Sequence, residues 1–165
     1  MAGSAPGLHH TKNTLAEAVR AQSVALLNRH LAAAVDLKTQ AKQAHWNVKG
    51  PNFIALHELF DKVADAADEF ADLVAERVTA LGGTAEGTVR LAAECSFLHP
   101  YPLQIVAWRE HVEALSNALA LFGTSVREAI DQAGEFGDAD TADLFTEVSR
   151  EADKYLWLVE AHLHG

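Results

Sequence analysis

Apolar side chains recur every three or four residues along four long stretches of the chain, which is the spacing of one buried face of an amphipathic helix. The first stretch covers residues 14–48, and Thr14 with Glu17 has the spacing of a capping box at its start. The second covers residues 52–82 and ends at two consecutive glycines, residues that commonly terminate helices. These two patterns predict two long helices that follow each other directly.

The third and fourth stretches continue the same helical period. The third follows Pro102 and runs to about Ala133, with Leu103 and Val106 as the first members of its apolar face. It begins directly after a proline, which the first turn of a helix tolerates. The fourth begins near residues 138–141 and reaches His162. Four long helices are therefore predicted in all.

The segment between the second and third helices, residues 84–101, is too long for a simple loop in a compact domain. Residues 89–94 within it are expected to form a short helix. Four long helices with one long crossover describe a ferritin-like four-helix bundle, so the predicted fold class is all-α with a short extra helix in the crossover. Residues 1–13 are predicted to form a flexible tail, and residues 14–165 to form the bundle domain.

Charge limits the partners of such a bundle. The chain has 165 residues with 13 basic and 23 acidic side chains, and its formal net charge is −10. A surface of that sign repels nucleic acid and attracts cations. The single cysteine, Cys95, excludes an internal disulfide and a CxxC motif. With neither a signal peptide nor a membrane-spanning run in the sequence, we expect a protein of the cytoplasm.

Good ligands for an iron-like metal are concentrated between residues 45 and 76. They are two imidazoles and three carboxylates, His45, His57, Asp61, Asp72 and Glu76. Imidazole and carboxylate together suit iron and similar divalent ions. His57 and Asp61 are four positions apart, as are Asp72 and Glu76, so each pair projects from one face of the second helix.

The two pairs are too far apart to share one metal within one chain. Asp61 and Asp72 are separated by roughly 16 Å of helix rise, whereas metal–ligand bonds are about 2 Å. However, His57 and Glu76 are equally distant from a point beside Ala66, and so are Asp61 and Asp72. A two-fold axis at that point would bring each pair opposite the other pair of a second subunit. The residues near this axis are small, which we expect to let two backbones approach: Ala64, Ala66, Ala67 and Ala71.

The pattern thus predicts a metal site that is split between two subunits and made twice in each dimer. His45 lies just before a Gly-Pro turn and is placed to complete the site from the preceding helix. The alternative is a solvated acidic face, because Asp65, Asp68 and Glu69 lie on the same helix. The two histidines and the equal spacing favour the metal site.

One motif is absent from the sequence. Ferritin-like di-iron sites inside a single bundle use Glu-x-x-His on two helices. No glutamate of this chain is followed by histidine three residues later. The sequence therefore lacks the signature of an intrachain di-iron site but has the residues of a split one.

Two runs of the sequence resemble the Dps family of mini-ferritins, the DNA-binding proteins from starved cells. One is HWNVKGPNFIALHELFD, which begins at His45, and the other is DADTADLFTEVSREADKYLWLVEAHL, which begins at Asp138. The resemblance extends over about residues 14–162. It implies that His45, His57 and Asp61 of one subunit meet the later aspartate and glutamate of its two-fold mate.

The ligands are then expected to divide between two irons. His45, Asp72 and Glu76 would hold the first, tighter Fe(II). His57 and Asp61 would hold the second one more weakly. Carboxylates prefer the harder ferric ion and so favour oxidation.

The resemblance also gives expectations for other residues. It makes Trp46 an electron donor or radical sink beside the metals, and a packed interface aromatic is the alternative. It places the short crossover helix on the dimer interface. It makes Asp138 and Asp143 part of an acidic three-fold pore for iron entry, whereas acids that complement a helix dipole are the alternative.

The implied function is an iron-storage and detoxification ferroxidase. It would oxidise Fe(II), preferably with hydrogen peroxide, and store ferric oxide in a hollow dodecamer built from two-fold dimers. A nucleoid-associated DNA-compacting protein is the alternative, but Lys12 is the only lysine or arginine among residues 1–13. A third alternative is a helical scaffold that binds zinc without turnover, since Zn²⁺ competes for the same ligands.

Overall fold

The computed structural model describes residues 7–164. In that part of the chain the secondary structure is helical throughout and contains no strand. The elements are α1 (Glu17–Asn47), α2 (Phe53–Ala80), α3 (Val89–Cys95), α4 (Trp108–Phe136), α5 (Ala139–Glu160) and a closing 3₁₀ turn (Ala161–Leu163). The predicted all-α class and the short crossover helix are confirmed.

The four long helices form two antiparallel pairs around one core. α1 packs along α2, and α4 packs along α5, while contacts of α1 with α4 and of α2 with α5 join the pairs. The largest fully buried side chains come from all four helices and include Leu27, Leu37, Phe60, Phe122 and Phe145. Each such side chain contributes about 1.5–3 kcal/mol through burial. No helix among residues 7–164 is long and apolar enough to cross a membrane.

The first helix begins two residues later than the capping-box pattern predicts. Thr14 does not cap it, and Ala16, which precedes the first helical residue, makes no side-chain cap. Instead the side chain of Asn13 accepts a hydrogen bond from the backbone N–H of Leu15 at 2.9 Å. This local turn competes with the helix for the same backbone groups, so the helix starts after it.

The third long helix also starts later than predicted, at Trp108 instead of directly after Pro102. The carboxylate of Glu110 accepts hydrogen bonds from the backbone N–H groups of Val106 and Ala107, at 3.1 and 2.8 Å, and so caps the helix at that point. Leu103 and Val106 therefore precede the helix. Their side chains are 70% and 69% exposed, so their prediction as core residues is wrong.

The predicted tail lies only partly within the described residues. Residues 7–13 contain no helix, and the backbone N–H of His9 donates to the carbonyl oxygen of Gly82 at 2.6 Å. Gly82 has a φ of 84°, and a Cβ at this position would lie 2.6 Å from the carbonyl oxygen of His9. Only glycine fits this close approach between the start of the chain and the end of α2.

Candidate metal centre

His45 and His57 form a reciprocal pair where the end of α1 meets the start of α2. The Nδ1 of His45 lies 2.7 Å from the carbonyl oxygen of His57, and the Nδ1 of His57 lies 2.9 Å from the carbonyl oxygen of His45. The two rings stack with centroids 3.7 Å apart. Phe53, one turn before His57 on α2, packs beside the second ring with centroids 5.1 Å apart.

These contacts decide which nitrogen each ring offers to a metal. A carbonyl oxygen can only accept a hydrogen bond, so each Nδ1 must carry the proton. Each Nε2 is then the unprotonated nitrogen with a free lone pair. A histidine ligand in a metal site commonly uses its second nitrogen in this way, donating to a carbonyl group that fixes its tautomer and orientation.

Asp61 lies beside this pair, one turn after His57. Its Oδ1 is 3.9 Å from the Nδ1 of His45 and accepts a hydrogen bond from the ammonium of Lys42. The hydrogen bond from Lys42 holds the pKa of Asp61 below its ordinary value, so the carboxyl group is ionised at neutral pH. A cation that binds Asp61 therefore competes with Lys42.

Lys42 contacts a proposed ligand, and the sequence interpretation did not single it out. It lies on α1 three residues before His45, so its side chain projects from the same face of the helix. Its i,i+3 spacing from the predicted ligand His45 is the sequence signal that could have identified it. The same arrangement occurs one turn earlier, where Lys38 bonds to Asp68 at 2.7 Å, so two lysines of α1 contact the acidic side of α2.

Asp72 and Glu76 lie on the second half of α2, and both side chains are exposed in the single chain. The observed bounds of α2, Phe53–Ala80, have their midpoint beside Ala66. This is also the point from which His57 and Glu76 are equally distant. The midpoint of the four candidate ligands on α2 thus coincides with the midpoint of the helix itself.

Within residues 7–164, no three His, Cys, Asp or Glu side chains lie together in a group that could hold a metal ion. His57 and Asp61 lie in the first half of α2, with His45 of α1 packed beside His57, but the three do not form such a group within the single chain. Asp72 and Glu76 lie towards the other end of α2. The chain thus carries two partial ligand sets, and the structure does not bring them together within one subunit.

The alanines near the midpoint of α2 have a different position from the one predicted. The side chains of Ala64, Ala66, Ala67 and Ala71 are buried within the chain's own hydrophobic core, so the prediction that their small size lets the backbones of two subunits approach is wrong. The exposed side chains at this level of the helix are acidic, Asp65, Asp68 and Glu69. Any second subunit on this face would meet those carboxylates, with Lys38 beside them.

Known proteins resemble this chain along most of its length. The ferritin-like domain family matches residues 24–165. The DNA protection during starvation protein of Agrobacterium fabrum is 43% identical over 155 residues, which cover 94% of this chain and 96% of that protein. The chain belongs to the Dps family of ferritin-like proteins. The resemblance of its two sequence runs to that family is confirmed.

Solved structures of Dps proteins have the same fold. DpsC of Streptomyces coelicolor superposes with a TM-score of 0.91 at 33% identity, over 96% of this chain and 92% of DpsC. Dps of Microbacterium arborescens in its high iron form gives a TM-score of 0.85 at 33% identity, over 94% of this chain and 99% of the other. The ferritin-like bundle predicted from the sequence is confirmed.

Trp46 follows His45 on α1, and its side chain is 66% exposed in the single chain. The indole points away from the chain's own core. Such a position fits both roles considered for Trp46 in a Dps protein, contact with a second subunit and electron donation beside a metal.

The two aspartates expected to line a pore occupy different environments. Asp138 is buried and caps α5, because its carboxylate accepts from the N–H and the hydroxyl group of Thr141 and from Arg77 at 2.7 Å. Burial alone would raise the pKa of Asp138, but these partners outweigh it and lower the pKa. Asp143 and Asp140 are exposed at the same end of α5. Of the two predicted pore residues, only Asp143 has a carboxylate that can meet a passing cation.

Proposed function

We propose that this Dps-family chain is an iron-storage and detoxification protein with ferroxidase activity. It oxidises Fe(II), preferably with hydrogen peroxide, and stores ferric oxide inside a hollow dodecamer of the cytoplasm. The reciprocal contact of His45 with His57 carries the proposal. It leaves the two Nε2 lone pairs free to bind a metal, and together with the ionised carboxylate of Asp61, one turn further along α2, they are a donor set that suits Fe(II).

The complete site forms across a two-fold axis at the midpoint of α2. His45 of one subunit, with Asp72 and Glu76 of its mate, holds the first Fe(II). His57 and Asp61 hold the second more weakly, because Lys42 competes for Asp61. Two Fe(II) ions supply two electrons to one peroxide, which takes up two protons and leaves as two waters without releasing hydroxyl radical.

Support comes from both the residues and the relatives. The chain matches the ferritin-like domain, and the Microbacterium relative was solved in a high iron form. The negative net charge of −10 favours the entry of cations into an assembled shell. Asp143, exposed at the start of α5, is the residue that we propose lines the entry route.

The test is anaerobic loading of the assembled protein with Fe(II), followed by addition of peroxide or of oxygen. We expect rapid optical growth of ferric oxide after peroxide, slower growth after oxygen, and no hydroxyl radical detected by a spin trap. Prior Zn²⁺ should slow the reaction, because it accepts the same ligands. Oxidation no faster than in protein-free buffer would exclude ferroxidase activity, and zinc binding without turnover would then support the scaffold alternative.

A second candidate function is DNA protection by direct binding, which the names of the relatives suggest. The charge of this chain opposes it. Among residues 7–13 Lys12 is the only lysine or arginine. Protection through removal of Fe(II) and peroxide needs no such contact and is the form that we favour.

A further inference from the structure

Half-buried Tyr101 and buried His111 form a pair away from the candidate metal centre. The hydroxyl group of Tyr101, in the crossover segment before α4, lies 2.7 Å from the Nδ1 of His111 on α4. The rings are close to parallel, at 21°, with centroids 6.2 Å apart. His111 is 1% exposed, and its Nε2 has no hydrogen-bond partner among residues 7–164.

Burial keeps both partners neutral. It raises the pKa of Tyr101 well above its ordinary range and lowers the pKa of His111. Tyr101 is therefore a phenol and His111 a neutral imidazole at physiological pH. A phenol is a strong donor and a neutral imidazole a good acceptor, so the O–H donates to Nδ1 and the ring proton sits on Nε2.

This geometry is what reversible oxidation of a tyrosine requires. A buried phenol that loses an electron must also lose its proton, and an acceptor within hydrogen-bond distance takes that proton without large movement. We propose that Tyr101 is a redox-active tyrosine, with His111 as its proton acceptor, which quenches one-electron oxidants formed in this protein.

Oxidation of Tyr101 requires an oxidant that accepts one electron and a base that accepts one proton. One Fe(II) and one peroxide, at a site that holds a single iron, give Fe(III), hydroxide and a hydroxyl radical. The radical takes one electron from Tyr101 and becomes hydroxide. The phenolic proton moves to Nδ1 of His111, which leaves a tyrosyl radical bonded to an imidazolium.

Trp108 connects this pair to the end of α1. It lies one turn before His111 on α4, and its Cδ1 is 3.0 Å from the position of a Cβ built on Gly50. Gly50 follows closely after His45 and Trp46. The helix that carries His111 thus packs, through Trp108, against the loop that follows His45 and Trp46, near the candidate metal centre where the oxidant would arise. This source of the oxidant rests on the proposed function, whereas the redox character of Tyr101 does not.

The chain offers a matched control, because it contains only two tyrosines. Tyr155 is half-buried on α5, and the described contact of its ring with a charged group is with the neighbouring Lys154, at 5.2 Å. No hydrogen bond to a histidine is found for it within residues 7–164. A tyrosyl radical that survives Tyr155→Phe therefore belongs to Tyr101.

The decisive experiment uses the assembled, iron-free protein and azide radicals generated by pulse radiolysis. We expect a long-lived tyrosyl radical in the wild type and in Tyr155→Phe, and its loss in Tyr101→Phe. His111→Gln keeps a hydrogen-bonding group but not a base, so the yield should fall and the high-field electron paramagnetic resonance signature of the imidazolium bond should disappear. A tyrosyl radical that persists in Tyr101→Phe overturns the proposal, and so does loss of the tyrosyl radical in Tyr155→Phe.

Tyr155→Phe leaves the proposed pair untouched, so it keeps the test valid even where changes at Tyr101 or His111 disturb folding. In that variant, ring-deuterated tyrosine should narrow the radical spectrum, and an unchanged spectrum overturns the proposal. A second arm adds one Fe(II) per site and then peroxide. A tyrosyl signal there supports both proposals, whereas a silent iron arm beside a positive iron-free arm leaves Tyr101 supported and contradicts the proposed source of the oxidant.

Discussion

At the scale of single residues, the chemistry of the candidate centre depends on where protons lie. His45 and His57 each donate through Nδ1 to the other's backbone carbonyl, so each presents Nε2. Because each ring is anchored to the partner's backbone, the two ligands are preorganised before a metal arrives. Preorganisation reduces the conformational entropy that binding would otherwise cost.

The ligands on the second half of α2 should control the tighter iron position. Glu76→Ala and Asp72→Ala each remove a ligand and a negative charge, so Fe(II) oxidation should slow by about tenfold or more, the loss typical of a removed metal contact. His57→Ala should be milder, because it acts on the weaker position. Stopped-flow absorbance after peroxide addition measures the Fe(II) oxidation rate of each variant.

Asp65→Ala is the matched control, because it removes an exposed carboxylate of α2 that is not a proposed ligand. It should oxidise Fe(II) at the wild-type rate. All four variants should keep the oligomer, since the core side chains are unchanged. An unchanged rate in Glu76→Ala would remove that residue from the site.

Lys42 should weaken cation binding at Asp61. Lys42→Gln removes the competing ammonium, so the affinity of the second position for a divalent ion should rise by up to about fivefold, the scale of one exposed ion pair. Anaerobic Co²⁺ titration followed by visible absorbance measures this affinity. Lys38→Gln is the control, because it removes the equivalent ion pair with Asp68, which is not a proposed ligand. Equal changes in the two variants would point to a general charge effect.

At the scale of elements, the corner between α4 and α5 depends on one aspartate. Gly137 ends α4 with a φ of 85°, and Asp138 follows at once as the cap of α5. The side chain of Asp138 also binds Arg77 near the end of α2, so a single carboxylate joins α5 to α2 at this corner. A residue in that position is structural even where its charge and sequence context suggest a cation route.

Loss of this cap should destabilise the bundle. Asp138→Ala removes the hydrogen bonds to Thr141 and the ion pair with Arg77, which we expect to cost about 2–4 kcal/mol of unfolding free energy. Asp138→Asn should cost less, because an amide oxygen can still cap the helix. Chemical denaturation measures the difference, with exposed Asp143→Ala, expected within about 0.5 kcal/mol of wild type, as the control.

The pH dependence of this contribution follows from the lowered pKa of Asp138. A carboxyl group whose pKa is lower in the folded state stabilises the protein above its unfolded pKa, and that stability is lost as the pH falls through the folded value. The wild type should therefore lose stability below about pH 4, the ordinary range for aspartate. Asp138→Asn should lack this component, and an identical acid profile in both proteins would contradict the role of Arg77 and Thr141.

At the scale of the whole molecule, the symmetry of α2 predicts the geometry of the assembly. In a metal-loaded crystal, α2 should pair antiparallel with α2 of a second subunit. Two metal positions should lie roughly 20 Å apart, the rise of about fifteen residues between site centres. A crystal in which α2 faces solvent, or in which one subunit supplies every ligand, would contradict the split site.

The charge of the whole molecule should prevent DNA binding at neutral pH. Twelve copies in the proposed dodecamer would multiply a formal charge of −10, and non-specific DNA binding needs many neutralised phosphates. We expect no stable complex at pH 7 and about 0.15 M salt, where screening limits electrostatic reach to about 8 Å. A gel-shift titration across pH and salt concentration tests whether a stable DNA complex forms. Tight, salt-resistant binding at pH 7 would favour the nucleoid function.

The sequence alone determined the features that depend on local spacing. Helical period is a property of neighbouring residues, so four long helices, the short helix near Val89 and the ligand pairs of α2 were all readable without coordinates. The equal spacing of His57 and Glu76 about the midpoint of α2 was readable for the same reason. The two sequence runs that resemble the Dps family correctly predicted the ferritin-like bundle.

Only the tertiary structure decided the features that depend on which groups meet. The start of α4 was set by the carboxylate of Glu110 and not by the apolar period that reaches back to Leu103. Ala66 faces the chain's own core, and the carboxylate of Asp138 is paired with Arg77. The tautomers of the histidine pair likewise depend on carbonyl groups of another helix. Such outcomes arise because hydrogen bonds and burial join residues distant in sequence, and residue spacing along one helix does not encode them.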